Sequence, residues 1–212
     1  LDANGHSMAE QRVTNVEIAL VLDVSGSMAG TKLTNLKKAA KEFVDTVLSS
    51  DPDNRISITL VPYNAQVNLG QDLRLKYNAT HIHDVANVNC LELPSASYNT
   101  VGVSRLTPFP MSAFADWNST TNKTTAYVAY DDSNYGKMNP DAPFCRNTAG
   151  NIIRLPSNDI ATLKTQIDGL VAAGNTSIML GLKWGLAMLD PYAQPMFEQL
   201  AAGGKMPSYF DN

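Results

Sequence analysis

The sequence predicts an α/β fold, and three consecutive stretches carry that prediction. Val16 to Leu22 is a β-branched and aliphatic run, the residues after Thr34 repeat at helical spacing, and Arg55 to Val61 alternates with β-rich residues. Strand, helix and strand with short joints make a βαβ unit, the building block of α/β domains.

Taken in order, residues 1–14 carry no period and form a lead-in segment. Val16 to Leu22 reads as a strand buried on both faces, as in a parallel sheet. In the helix, Leu33, Leu36, Ala40, Phe43, Val44, Val47 and Leu48 share one face. Lys37, Lys38, Lys41 and Glu42 take the other, and Ser49-Ser50-Asp51-Pro52 ends it. Beside the second strand, Ala65 to Leu69 is a candidate neighbour.

Residues 70–156 break the rhythm. Six of the 11 prolines lie between Pro94 and Pro156, and Asn118 to Thr125 is a polar tract typical of a solvated loop. So long a structureless connection is suspect in a compact domain, so the stretch reads as an insertion with short strands of its own. Helical order returns at Asp159, with Ile160, Leu163, Ile167, Leu170 and Val171 on one face. Ser157 or Asn158 is the expected cap and Gly174 the expected stop. A further helix follows Thr176, with Ile178, Leu182, Leu186 and Leu189 on one side, and Pro191 after it. That apolar face and Trp184 are expected to be core packing. The tail to Asn212 has no clear period.

The 212 residues suffice for one domain with a decoration, and 44% hydrophobic content makes the chain globular. Charged residues are only 17%, and neutral polar groups (19 Asn, 16 Thr, 15 Ser) take their place. With a net charge of −4 and Lys and Arg scattered, a nucleic-acid groove or an anionic membrane surface is not indicated. The aliphatic run Ile18 to Leu22 is far short of the ~20 residues of a spanning helix. The opening is polar, so any exporting or anchoring segment is expected to lie outside this sequence.

Cys90 and Cys145 are too few for a disulfide scaffold or a zinc site. They are either two buried thiols or a disulfide. Their charge-poor, Asn/Pro/aromatic-rich surroundings read as extracytoplasmic loop and favour the disulfide, worth about 4 kcal/mol in the chain-entropy model.

The sharpest chemical signal is Asp23-Val24-Ser25-Gly26-Ser27, at the carboxyl end of a strand and just before a helix, where open α/β sheets bind ligands. Alternation puts the carboxylate and two hydroxyls on one rim, and Gly26 permits a tight turn. A carboxylate with hydroxyl oxygens is a hard donor set, suited to Mg²⁺, Mn²⁺ or Ca²⁺ rather than zinc or copper. With one formal charge the site would be weak and receptive to an outside acid. Ordinary turn and capping chemistry accounts equally well for the pentapeptide alone.

Ile18-Ala-Leu-Val-Leu-Asp-Val-Ser-Gly-Ser-Met28, followed by the Lys32–Leu48 helix, resembles the start of a von Willebrand factor A domain and its metal-ion-dependent adhesion site. More narrowly, the chain resembles the A-domain region of TadG-like proteins of the bacterial Tad/Flp pilus-assembly system. The further matches are Val61-Pro-Tyr-Asn-Ala-Gln-Val-Asn-Leu-Gly70, a cysteine-bearing insertion, Leu170-Val-Ala-Ala-Gly-Asn-Thr176, Gly181-Leu-Lys-Trp-Gly185 and Leu189-Asp-Pro191. Together they span about residues 14 to 192 in order.

The resemblance implies a Rossmann-like fold, with 15–69 and 157–212 forming a partial A-type domain around the 70–156 insertion. It implies that Ser25 and Ser27 touch Mg²⁺ (or Mn²⁺ or Ca²⁺), that Asp23 acts largely through water, and that Thr176 matches the second-loop threonine. Thr176 has helix N-cap as its plainer role. The implied function is non-enzymatic: a metal-dependent interaction module at the periplasmic or outer cell surface, completed by an Asp or Glu of a protein partner such as a pilus-assembly component. A metal-dependent hydrolase using the same loop, and a structural domain with a vestigial site, are the alternatives.

The third metal loop is where the sequence departs from the family. No strand ending in Asp-Gly follows Pro191, and Asp211 is a poor substitute. The chain therefore reads as an N-terminal portion ending before the fourth strand. Val16–Leu22 would then be an exposed apolar edge, expected to be covered by another chain, copy or fragment. Other candidates are weaker. His81-Ile-His83 lacks a Cys or Glu partner and reads as solvated loop, and a serine nucleophile would need a histidine base. No phosphate-cradling glycine loop is present.

Overall fold

The computed structural model describes residues 15–80, 82, 86–118, 123–129 and 145–205. It is a mixed α/β structure with two small sheets. In the first, β1 (Val16–Asp23) runs parallel to β2 (Ile56–Tyr63), in register from Val16 opposite Ile56 to Asp23 opposite Tyr63. The crossover between them is α1 (Thr31–Ser49), whose Ala40, Val44 and Leu48 are buried. This is the βαβ unit that the change of period predicts.

β2 is the buried centre of this sheet. Its Ile58 and Leu60 join α1 and α3 (Ile160–Asp168) in one core, while Val61 and Tyr63 face a second core on the other side. β1 differs from expectation: it is only half-buried, and Val16 is 43% exposed. Among the described residues β1 pairs with β2 alone.

The strand on the far side of β2 is not 65–69. It is β7 (Arg154–Ser157), antiparallel, with Ser157 opposite Ile58 and Arg154 opposite Leu60. The 65–69 stretch is buried as irregular backbone, with an isolated bridge from Asn68 to Ile152. The buried Asn68 side chain holds three other segments there: Nδ2 donates to Asn87 O (2.6 Å) and Arg146 O (2.7 Å), and Oδ1 accepts from Gly70 N (3.0 Å).

Between β2 and β7 lie α2 (Gly70–Arg74), β3 (Ala79–Thr80), β4 (Cys90–Leu91), β5 (Phe109–Asn118) and β6 (Lys123–Ala129). β5 is the hub of the second sheet, antiparallel to β4 and β6 and parallel to β3. A disulfide joins Cys90 on β4 to Cys145, with a Cα–Cα distance of 5.8 Å.

α3 is capped by Asp159, whose Oδ1 accepts from Ala161 N and Thr162 N, in place of the expected Ser157 or Asn158. It ends at Asp168 with Gly169 as cap, five positions before Gly174. Gly150 backs directly onto that cap, where a Cβ on Gly150 would meet Gly169 O at 2.1 Å.

α4 (Ile178–Met188) corrects a further expectation. Its buried side is Leu180, Trp184, Ala187 and Met188, while Ile178, Leu182 and Leu186 are 58, 51 and 50% exposed. The helix is apolar nearly all round, so periodicity could not choose its inner face. Gly181 and Gly185 choose it instead. A Cβ on Gly181 would meet the Tyr63 ring at 2.5 Å, and one on Gly185 would meet Val21 Cγ2 at 2.6 Å. At Gly181, where the neighbour is a fixed ring, glycine lets the helix lie this close to the sheet. α5 (Gln194–Ala202) then packs Met196, Phe197 and Leu200 into the same core, in a segment where the sequence shows no clear period.

Candidate functional site

β1 delivers Asp23 to the carboxyl end of the sheet, where Val24 N still donates to Tyr63 O (2.8 Å). Asp23 Oδ1 then accepts from Ser25 N (2.8 Å), bending the chain into a 3₁₀ turn over Gly26–Met28. That bend brings Ser25 Oγ and Ser27 Oγ to 3.2 Å. Ser25 is fully buried, Asp23 half-buried and Ser27 exposed, so the oxygens run from the core out to solvent.

Tyr63 is in register with Asp23 on the neighbouring strand. Its hydroxyl pKa is raised, first by burial and then by the nearby Asp23 carboxylate, so the phenol stays protonated. Asp23 is thus held by the backbone amide of Ser25 and lies near a protonated hydroxyl.

The segment 173–177 is laced to this turn. Gly26 N donates to Gly174 O (2.8 Å), and Ala173 N to Val24 O (2.9 Å). Asn64, just past β2, closes the third side: its Nδ2 donates to Ala173 O (3.1 Å), and its carbonyl accepts from Ser177 N (2.7 Å). Gly174 has φ +77°, and a Cβ there would stand 3.0 Å from Asn64 Nδ2. The glycine is needed for both conformation and space.

Thr176 lies in this laced segment and is exposed. It is not the helix cap, for α4 has Ser177 in that position. Among the described residues the Thr176 hydroxyl makes no hydrogen bond. The turn carries Ser25 Oγ, Ser27 Oγ and the Asp23 carboxylate, and the laced segment carries Thr176 Oγ1. Among the described residues no three His, Cys, Asp or Glu side chains gather into a metal cluster, so a cation here would rest chiefly on hydroxyls. His6, His81, His83 and Asp211 lie outside the described residues.

Sequence reasoning assigned no role to Tyr63 or Asn64. Both stand in the run Val61-Pro-Tyr-Asn-Ala, which carried the resemblance without explaining it. Their roles depend on which strand lies beside β1 and which loop crosses its end, and neither is local in sequence.

No protein-family model matches the chain, and no curated protein matches it. Among solved structures it is similar to the three N-terminal domains of the type V pili tip protein Mfa5 from Porphyromonas gingivalis, at 25% identity and TM-score 0.25, over 28% of this chain and 11% of that one. It is also similar to the adhesive tip pilin GBS104 from Group B Streptococcus agalactiae, at 14% identity and TM-score 0.38, over 79% of this chain and 36% of that one. The chain thus spans about a tenth and about a third of the two proteins.

Proposed function

We propose that this chain is a metal-assisted protein-interaction module of the bacterial envelope, a von Willebrand factor A-type domain of the TadG-like kind acting in Tad/Flp pilus assembly. In this reading 15–69 and 157–212 belong to a Rossmann-like A-type domain and 70–156 is its insertion, the end of which, β7 (Arg154–Ser157), joins the A-type sheet. The observation that carries the reading is the Ser25–Ser27 hydroxyl pair at the carboxyl end of β1, 3.2 Å apart and hydrogen-bonded through Gly26 to the Thr176 segment. The strand order β1-β2-β7, with cores on both faces and the last strand antiparallel, supports it as well.

The donor set fits a hard cation. Octahedral Mg²⁺ with oxygens at about 2.1 Å places neighbouring ligands roughly 3.0 Å apart, and the larger Ca²⁺ places them wider. The two serine hydroxyls already stand at such a separation. Ser25 and Ser27 would hold Mg²⁺ (or Mn²⁺ or Ca²⁺), with Thr176 supplying a third hydroxyl. Asp23, engaged by Ser25 N, would act one step removed, through water. When bound, the ion supplies a Lewis-acidic position that an Asp or Glu of the partner protein completes. The chain's own residues bind and orient; no bond of the partner is broken.

The Cys90–Cys145 disulfide suits a periplasmic or cell-surface location. Among the described residues no helix is long and apolar enough to cross a membrane. The same reading has another chain, copy or fragment covering the outer edge of β1 and the exposed Ile178, Leu182 and Leu186 beside it.

Water-proton relaxation with Mn²⁺ tests this reading, because a bound ion with open positions enhances relaxation strongly. The expected result is an enhancement that Ser27→Ala abolishes and that acetate, standing in for the partner carboxylate, partly quenches. The same enhancement in Ser27→Ala would remove the hydroxyl pair from the site.

A further inference from the structure

We infer that the cleft between loop 100–106 and the Asp190–Met196 turn binds an acidic peptide segment of a partner protein, whose carboxylate Arg105 and Tyr77 receive. The cleft lies apart from the Ser25–Ser27 pair and does not depend on the metal reading. It encloses about 1030 Å³, at the upper end of what ligand sites hold.

Its floor carries unused donors. Tyr77 is only 7% exposed and lines the cleft, yet its hydroxyl makes no hydrogen bond among the described residues. The residue is buried but its hydroxyl reaches the cleft, where it is free to meet an incoming acceptor. The ring itself is fixed, edge-on to Trp184 with centroids 5.4 Å apart. Beside it, half-buried Arg105 lines the same space, and among the described residues its guanidinium makes no hydrogen bond or ion pair. Burial raises the Tyr77 hydroxyl pKa, opposed by the charge of Arg105 and reinforced by that of Asp190, so it remains a donor. A planar fork beside a hydroxyl matches a carboxylate.

The charge balance agrees. Among the described lining residues Lys76, which also donates to Gln199 Oε1 (3.3 Å), and Arg105 stand with a single acid, Asp190, one oxygen of which already accepts from Tyr192 N (3.0 Å). The apolar rim argues for an extended occupant rather than an enclosed small molecule. Val101, Leu106 and Tyr192 are 59, 87 and 88% exposed, offering apolar surface that continues outward from the cleft.

One wall is fixed in advance. Lys183, only 3% exposed, donates through Nζ to Thr100 O (2.5 Å), Val101 O (3.0 Å) and Gly102 O (2.7 Å). Loop ordering is therefore not charged against binding.

The test titrates the intact chain with N-acetyl-Leu-Leu-Asp-Leu-amide and with its Asn counterpart, followed by amide NMR shifts. The Asp peptide should bind about tenfold tighter than the Asn peptide, with shifts at 100–106 and 190–196 that chelator leaves unchanged. Arg105→Gln should bring the two peptides to equal affinity. Tyr77→Phe should weaken the Asp peptide several-fold while melting no lower than the wild type, because the lost hydroxyl had no partner. Equal affinity for both peptides, no binding at millimolar peptide, or undiminished binding in both variants would overturn the proposal. Shifts confined to 23–27 and 173–177 and erased by chelator would assign the peptide to the metal site and overturn it too.

Discussion

The amide of Gly26 donates to the carbonyl of Gly174 at 2.8 Å, joining the turn after β1 to the loop before α4 across 148 positions of sequence. Its partner bond, Ala173 N to Val24 O at 2.9 Å, makes the junction two-stranded in character. The Ser25–Ser27 pair and Thr176 are therefore carried on one connected piece of backbone. A Cβ on Gly26 would come within 3.1 Å of Gly174 O, so the approach depends on a residue without a side chain.

The same reliance on glycine supports α4, and here magnitudes decide. Alanine at either helical glycine gains about 1 kcal/mol of helix propensity. At Gly181 the new Cβ would sit 2.5 Å from the Tyr63 ring, and overpacking costs about 1–3 kcal/mol. At Gly185 it meets only the tip of Val21, at 2.6 Å, which can rotate away. Urea denaturation should show Gly181→Ala destabilised by about 1–2 kcal/mol and Gly185→Ala near neutral. Gly181→Ala should also displace the Tyr63 ring.

Glu92 yields a pH dependence. Burial raises its carboxyl pKa, and the hydrogen bond from Gln66 Nε2 (3.0 Å) opposes this only in part. A folded-state pKa above the unfolded one gives a contribution that is present at acid pH and lost as pH rises through the folded value. Glu92→Gln should therefore stabilise the chain at pH 7 and lose that advantage at acid pH. The new amide could also donate to Gln66 Oε1, a buried atom with no partner. Melting curves at the two pH values should differ by about 1 kcal/mol at neutrality.

Lys183 is expected to be a costly residue to remove. Lys183→Met keeps the aliphatic stem but leaves the carbonyls of Thr100, Val101 and Gly102 without their shared donor. Chemical denaturation should show a loss of about 2–3 kcal/mol. Hydrogen exchange should rise locally over 98–103, because the loop loses its tie to α4.

Much of the first sheet was legible because its signals are local. The period changes between Leu22 and Leu33 and again near Arg55, and each change marks an element of the βαβ unit. β7 was not legible: four residues that include Pro156 carry no period, and its partners on β2 lie 94 and 99 positions away. Nor was the orientation of α4, where an almost wholly apolar helix leaves the choice to the two glycines. In the candidate site, Asp23, Ser25 and Ser27 are near neighbours and so could be read directly. Tyr63 and Asn64 reach the site only through strand pairing and loop crossing, which no sequence window contains.

The central claim is that one divalent cation binds the Ser25–Ser27 pair. A thermal melt in Mg²⁺ or Mn²⁺ against chelator, beside Ser25→Ala, tests it most directly. In chelator the variant should differ from the wild type by under about 1 kcal/mol, since among the described residues the Ser25 hydroxyl bonds only Ser27. A cation that binds only the folded state should stabilise the wild type by about 2.7 kcal/mol at a hundred times its Kd, and Ser25→Ala should lose that gain. An equal shift in both proteins, or none in the wild type at any cation concentration, would contradict the claim.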